Sequence, residues 1–193
     1  MMRSSIYIIT ILFLSCNSST SLKSSYWENK KDDFKYLNKK EFISDSTLEA
    51  ELESLKLISH PIFDTTLEDK VYLYSWQDRD KSKIEFTVVH DEGELGLKIW
   101  YFILDKDSNL ISWTQVGGKG SEFGFTFETR STFKNTDTLI NIGSTTQWID
   151  FAKLKKMEKT IGDTTFSYLI IDSRGKVTKS IFKKVKELDF GKE

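Results

Sequence analysis

The sequence predicts an α+β protein that is mainly β: an antiparallel meander forming a curved sheet or half-barrel, with one or two N-terminal helices. Three observations carry this. From Val71 onward apolar and polar residues alternate with a period of two. The links between alternating runs are short and polar (QDRDKS, DEGE, DKDSN, GGKG, NTD and SRGK), which suits hairpins rather than crossover helices. Aromatic residues make up 13% of the chain and Pro61 is its one proline, a composition suited to strands.

Taken in order, the first convincing element is a helix beginning at Ser46. Ser46 and Glu49 have capping-box spacing, and Leu48, Leu52 and Leu55 follow at i, i+4 and i+7. The segment around Phe34 and Leu37 is a second short helical candidate, and His60-Pro61 ends this region because the residue before proline avoids helical geometry. Strands are expected at 71–77, 83–90, 95–104, 110–116, 122–134, 138–143, 164–171 and 176–182. In EFGFTFETRSTFK, Phe123, Phe125, Phe127 and Phe133 fall on one strand face, with Glu122, Thr126, Glu128, Arg130 and Lys134 on the other. Residues 148–158 read as a short helix or as another strand. The hairpins YFILDKDSNLIS and YLIIDSRGKVTK look alike, but two copies do not make a repeat architecture.

The start of the chain has a different character. Arg3 is the only charge before Lys23, and Ile6 to Leu14 form an apolar run broken by Thr10. As a helix that run would measure roughly 14 Å, too short for a hydrocarbon core of about 30 Å, and it reads as a secretory signal. Leu12-Phe13-Leu14-Ser15-Cys16 resembles the lipobox of bacterial lipoproteins. The resemblance covers residues 1–16 only and implies cleavage between Ser15 and Cys16, acylation (palmitate among the chains) of Cys16, and membrane lipid as the partner of that residue. Leu14 departs from the smaller residues commoner at its position. Asn17, where Asp commonly holds lipoproteins of Gram-negative bacteria at the inner membrane, resembles the outer-membrane class, and the residues just after Cys16 have no acidic cluster of the kind some such bacteria use for surface export, which points to the periplasmic face. Several acyl chains anchor where one does not, because each buried CH₂ adds about 0.8 kcal/mol.

The domain plan that follows is a signal peptide over 1–15, the acylated Cys16 and a Ser- and Lys-rich tether to residue 31, and one β-rich domain over 32–193. Cys16 is the single cysteine, so neither an internal disulfide nor a cysteine nucleophile is available. With 28 basic and 29 acidic residues the chain lacks the basic footprint of a nucleic-acid binder. Residues 16–94 nevertheless carry a net −6 and residues 151–193 a net +5. Interleaved strands would erase that asymmetry; otherwise the basic end would face anionic lipid or polysaccharide.

Catalytic and metal grammar is missing. The two histidines, His60 before proline and His90 in HDEGE, have no zinc-ligand spacing and no GxSxG elbow, and HDEGE reads as a solvated turn. Asp105, Asp107 and Asn109 start like an EF-hand loop, but Leu110 and Val116 stand where Gly and Glu are required, so a hairpin turn is expected. Glu122 and Glu128, six residues apart on one strand, would sit roughly 20 Å from each other, beyond the reach of paired glycosidase carboxylates. GGKGS (117–121) has the glycines of a phosphate loop without its spacing. No cofactor and no metal site are expected.

Four tripeptides, Asp45-Ser46-Thr47, Asp64-Thr65-Thr66, Asp137-Thr138-Leu139 and Asp163-Thr164-Thr165, resemble the O-glycosylation acceptor of some Gram-negative bacteria, which marks Ser46, Thr65, Thr138 and Thr164. Asp before Ser or Thr is equally good turn and capping chemistry. The leading function is a non-catalytic envelope lipoprotein binding an envelope protein or polysaccharide. The alternatives are a periplasmic carrier whose aromatic face (Phe123, Phe125, Phe127, with Trp100 and Trp113) lines a hydrophobic cavity, and a hydrolase with dispersed carboxylates.

Overall fold

A computed structural model describes residues 25–63, 69–122, 125–150 and 158–190. Its elements are α1 (Ser25–Asn29), β1 (Tyr36–Leu37), β2 (Glu41–Ile43), α2 (Ser46–Glu51), β3 (Lys56–Ile58), β4 (Lys70–Gln77), β5 (Ile84–Asp91), β6 (Gly96–Leu104), β7 (Leu110–Glu122), β8 (Phe125–Asn135), β9 (Thr138–Asp150), β10 (Glu158–Ile171) and β11 (Val177–Phe190). The protein is mainly β. Its strands form one 11-stranded sheet in the order β1-β4-β5-β6-β7-β8-β9-β10-β11, with β3 on β4 and β2 on β8. Pairing is antiparallel except between β1 and β4, and the sheet is not closed.

Sequential strand order follows from the short links, and alternation decides the faces. On β4–β6 both faces are buried. One face carries Leu73, Trp76, Phe86, Val88, Phe102 and Leu104, covered by Trp27 and Phe34 from the N-terminal segment. Trp27 is fully buried and stacks on Phe86 at 4.4 Å. The other face carries Tyr74, Val89, Ile99, Tyr101 and Ile103, which pack with Phe42 of β2, Leu48 of α2, and Leu139, Leu169 and Ile171 from β9 and β10. The strand β2 makes this possible. β7 pairs with β8 from Thr129 to Phe125, and beyond that point β2 takes over at Arg130–Thr132.

Buried among these apolar groups is a charged cluster. Glu85 of β5 is fully buried; its carboxylate accepts from Nε and Nη2 of Arg79, each at 2.8 Å, and from the Tyr101 hydroxyl at 2.5 Å. The Arg79 Nη1 donates to Thr136 O at 2.8 Å and to Asp137 Oδ1 at 2.6 Å. Burial, with the carboxylate beside it, pushes the Tyr101 hydroxyl well above the ordinary tyrosine range. The turn after β4, β5, β6 and the turn between β8 and β9 are thereby joined.

Several expectations change. The helix expected from Ser46 is only six residues long and passes into a 3-10 turn over Leu52–Ser54, and Leu55 is already extended. Its N-cap is Asp45, which accepts from the backbone of Thr47 and Leu48, so Ser46 does not cap a box with Glu49. The segment at Phe34 and Leu37 is not helical: a 3-10 turn over Lys31–Asp33 precedes it, Phe34 is already extended and Leu37 belongs to β1. Residues 25–31 belong to the packed domain rather than to a tether, because Trp27 supplies core surface. The strand expected at 122–134 is split: Glu122 ends β7, Phe125 begins β8, and the two pair with each other. Trp148–Asp150 continue β9 and Glu158 opens β10, whereas 151–157 lie outside the described residues. Finally, the strand order keeps the charge asymmetry, since among the described residues β11 pairs only with β10.

The two look-alike hairpins have one turn chemistry. Asp105 Oδ1 accepts from the backbone of Asp107 and Asn109, and Asp172 Oδ1 accepts from that of Arg174 and Lys176. The turns belong to hairpins that meet, with Ser112 Oγ donating to Gly175 O at 2.6 Å.

Two outcomes test these contacts. Arg79→Ala is expected to reduce the unfolding free energy by about 3–5 kcal/mol, because Glu85 is left as an unpaired buried charge. The triple variant R79M/E85L/Y101F is expected to lose less, and urea titration distinguishes them. His60 is buried against Tyr26, Trp27 and Phe63, its Nε2 has no hydrogen-bond partner among the described residues, and burial lowers its pKa. The unfolded chain therefore binds the proton more readily, so His60 costs no stability above the free-histidine pKa of about 6.5 and destabilises progressively as pH falls below it. H60Q is expected to flatten that limb in pH-dependent thermal melts.

Candidate functional site

The site is built on the face of β8–β10 that points away from the core. In the sheet, directly paired residues share a face. The register therefore aligns Glu128 with Ser144 and Thr164, and Arg130 with Ile142 and Phe166. The opposite face aligns Ser131 with Asn141 and Ser167, which hydrogen-bond to one another while Leu139 and Leu169 enter the core.

Two open grooves meet at Glu128 and Ser144 of the outward face; Phe127, which lines the larger, belongs to the opposite phase of β8. The larger, about 490 Å³, runs between β7–β9 and the 3-10 turn Gly93–Leu95, lined by Glu49, Glu94, Lys119, Phe127 and Thr146 among others. The smaller, about 300 Å³, is lined by Glu128, Arg130, Ile142, Ser144, Thr164 and Phe166. Glu128 and Ser144 line both. Glu49 crosses to Lys119 at 2.9 Å, and Lys98, paired with Glu92 at 2.5 Å, lies 5.7 Å from the centre of the Phe127 ring. Thr164 Oγ1 donates to Ser144 Oγ at 3.4 Å. Hydroxyls, carboxylates and a guanidinium beside an aromatic ring suit a polar ligand with hydroxyl or charged groups.

The glycines of GGKGS lie within β7 and serve close packing. A Cβ on Gly120 would collide with Leu95 O and stand 2.8 Å from the Phe127 ring; one on Gly117 would stand 3.0 Å from Phe42 O. Neither position forms a phosphate loop.

The sequence-marked residues are dispersed. Ser15, Cys16, Thr65 and Phe123 lie outside the described residues. Phe127 lines the larger groove, whereas Phe125 is 46% exposed at the start of β8. Trp100 and Trp113 pack edge to face at 4.9 Å, with Trp113 stacked on Phe102, and so sit on the other side of the sheet. Ser46 is exposed at the start of α2, Thr138 opens β9, and Thr164 faces the smaller groove. Their preceding aspartates differ in role: Asp45 caps α2, Asp137 holds Arg79, and Asp163 keeps a buried Oδ1 with no hydrogen-bond partner among the described residues. Glu122 and Glu128 lie on paired strands, opposite Phe125 and Lys119, instead of along one strand. Asp105 forms the expected hairpin turn. His90 is a partly buried strand residue between Asp69 at 3.3 Å and Glu92 at 3.4 Å, not a solvated turn. Among the described residues no group of three His, Cys, Asp or Glu could hold a metal ion. Sequence reasoning missed Lys119, Ser144 and Thr146, whose only signal is polar alternation on a strand.

Compared with protein-family models, curated proteins and solved structures, the chain matches none.

Gly120→Ala is expected to destabilise the protein by about 1–3 kcal/mol through overpacking. Gly143→Ala, whose Cβ would meet only Thr129 Oγ1 at 3.8 Å, is expected to be tolerated. Urea titration of the pair checks that β7 needs its glycine for the passage of Leu95.

Proposed function

We propose that this chain is an envelope lipoprotein, anchored in the outer membrane through acyl chains on Cys16, and that its domain is a non-catalytic module binding a polar envelope partner. On this reading the open sheet curves as a half-barrel whose outward face is turned to the periplasm, and short N-terminal helices close its core side. The observation that carries the binding reading is the pair of adjoining grooves on β7–β10, with their hydroxyl, carboxylate and guanidinium lining. The anchor rests on the lipobox resemblance alone. Ser46, exposed at the start of α2, is the best presented of the three glycan acceptor positions among the described residues. The core-facing side of the sheet is filled by Phe42, Tyr74, Tyr101 and Ile103, which favours a polar ligand on the outside over a hydrophobic one within.

Native mass spectrometry of the protein extracted in mild detergent from its own membrane tests both parts. The wild-type chain is expected to carry acyl mass on Cys16 and an additional bound sugar or protein. Cys16→Ser is expected to lose the acyl mass and leave the membrane fraction. Ser144→Trp, which fills the shared wall of the grooves, is expected to lose the bound partner. A lipid-sized mass retained in Ser144→Trp would overturn the polar-ligand reading in favour of a carrier.

A further inference from the structure

The smaller groove opens at Phe166 onto a surface that the sequence alone does not suggest. Phe182 of β11 stacks on Tyr168 of β10 at 4.5 Å with 27° between the rings, and it lies 6.3 Å from Phe166. Cations border the three rings: Lys183 is 5.3 Å from the centre of Phe166, and Lys134 is 4.9 Å from that of Tyr168. Phe182 remains 50% exposed despite these contacts.

A β-bulge produces this arrangement. Along β10–β11 the register pairs Phe166 with Lys183 and Ser167 with Ile181, leaving Phe182 as the extra residue. In a regular strand Phe182 and Lys183 would point to opposite faces; a bulge re-aims side chains locally. Here the aromatic ring and the cation both reach the Phe166–Tyr168 face. Arg130, aligned with Phe166 through Ile142, extends the cationic border into the groove. Among the described residues neither Arg130, Lys134 nor Lys183 forms a salt bridge. The surface also lies at the end of the chain that carries the positive excess.

We propose that this platform binds an anionic polysaccharide of the uronic-acid type. The exposed Phe182 ring, backed by Tyr168 and Phe166, would stack on the apolar face of a sugar ring, Lys134, Lys183 and Arg130 would pair with carboxylates, and Ser144 and Thr164 would meet hydroxyls in the adjoining groove. The hydroxyls and guanidinium lining the adjoining groove have no use at a lipid surface and favour the polysaccharide. The inference rests on the proposed binding role of the outward face and specifies the substrate class.

The test uses the full lipidated chain in mild detergent, with alginate oligomers as the polyuronate probe and dextran as the neutral one. Alginate is expected to bind at least about tenfold more tightly than dextran, with an advantage that shrinks at high salt. F182A removes an exposed ring, and K134Q/K183Q keeps the rings while removing charge; each is expected to weaken alginate binding by about tenfold. Equal binding of dextran, or alginate binding unchanged in both variants, would overturn the proposal. So would variants that bind alginate normally but lose preference for phosphatidylcholine–phosphatidylglycerol vesicles over phosphatidylcholine vesicles, an outcome that makes the platform a lipid-facing surface. Loss of the native partner in Ser144→Trp alongside unaffected platform variants would leave the groove as the binding site and reject the platform alone.

Discussion

The buried carboxylate of Glu85 is the constraint around which the rest of the fold is arranged. A carboxylate with no exposure is tolerated only when its oxygens are satisfied. Arg79 and Tyr101 satisfy it, but Arg79 brings further donors that need acceptors of their own. Those acceptors come from Thr136 and Asp137, at the turn joining β8 and β9. The cost of burying one charge is offset only when the second part of the sheet is in place beside the first. Hydrophobic burial would permit many placements of β8–β11 against β4–β6, since apolar contact is non-directional. The fork of the guanidinium allows few, and so sets where the outward face of β8–β10 lies.

The strands from Val71 to Leu104 are legible because alternation there survives even where both faces are buried: Glu85 and Thr87 supply a polar phase on one buried face while Phe86 and Val88 supply the apolar phase on the other. The split between β7 and β8 was not legible, for a physical reason. Glu122 ends β7 and pairs with Phe125 at the start of β8, while in the sequence Phe125 and Phe127 keep a period of two that extends back to Phe123. A period-two reading passes through such a break unaware of it. The glycines of GGKGS misled in the opposite direction. They suggest a loop by composition, yet they sit in β7 because Phe42 and Leu95 leave no room for a Cβ. Close backbone approach is a tertiary fact that no local pattern encodes.

The site was less legible than the fold. Its residues are single polar positions on four strands, and only the register brings Glu128, Ser144 and Thr164 into line. The aromatic sequence pattern pointed to Phe125 and Phe127, of which one is exposed at a strand start and the other lines the larger groove. The rings that do form a platform, Phe166, Tyr168 and Phe182, come from two strands and depend on a bulge that shifts the alternation by one residue. From the sequence, Phe182 and Lys183 read as opposite faces.

The charge distribution links the edge of the sheet to its face. Among the described residues β11 is an edge strand of fourteen residues, with Ile181 49% exposed, and its outer row of backbone groups faces any other strand. Lysines on such a strand oppose pairing with a second copy, because two β11 strands would bring like charges together. Lys179, Lys184 and Lys186 lie on the face opposite Lys183 in the register with β10, so the edge is guarded from both sides. Edge protection alone explains the lysines of one face as well as those of the other. It does not explain why the bulge sets Phe182 and Lys183 together against Phe166 and Tyr168, since an exposed ring on an edge strand works against that protection. The aromatic cost is confined to the face where the groove opens, which is where a ligand would repay it.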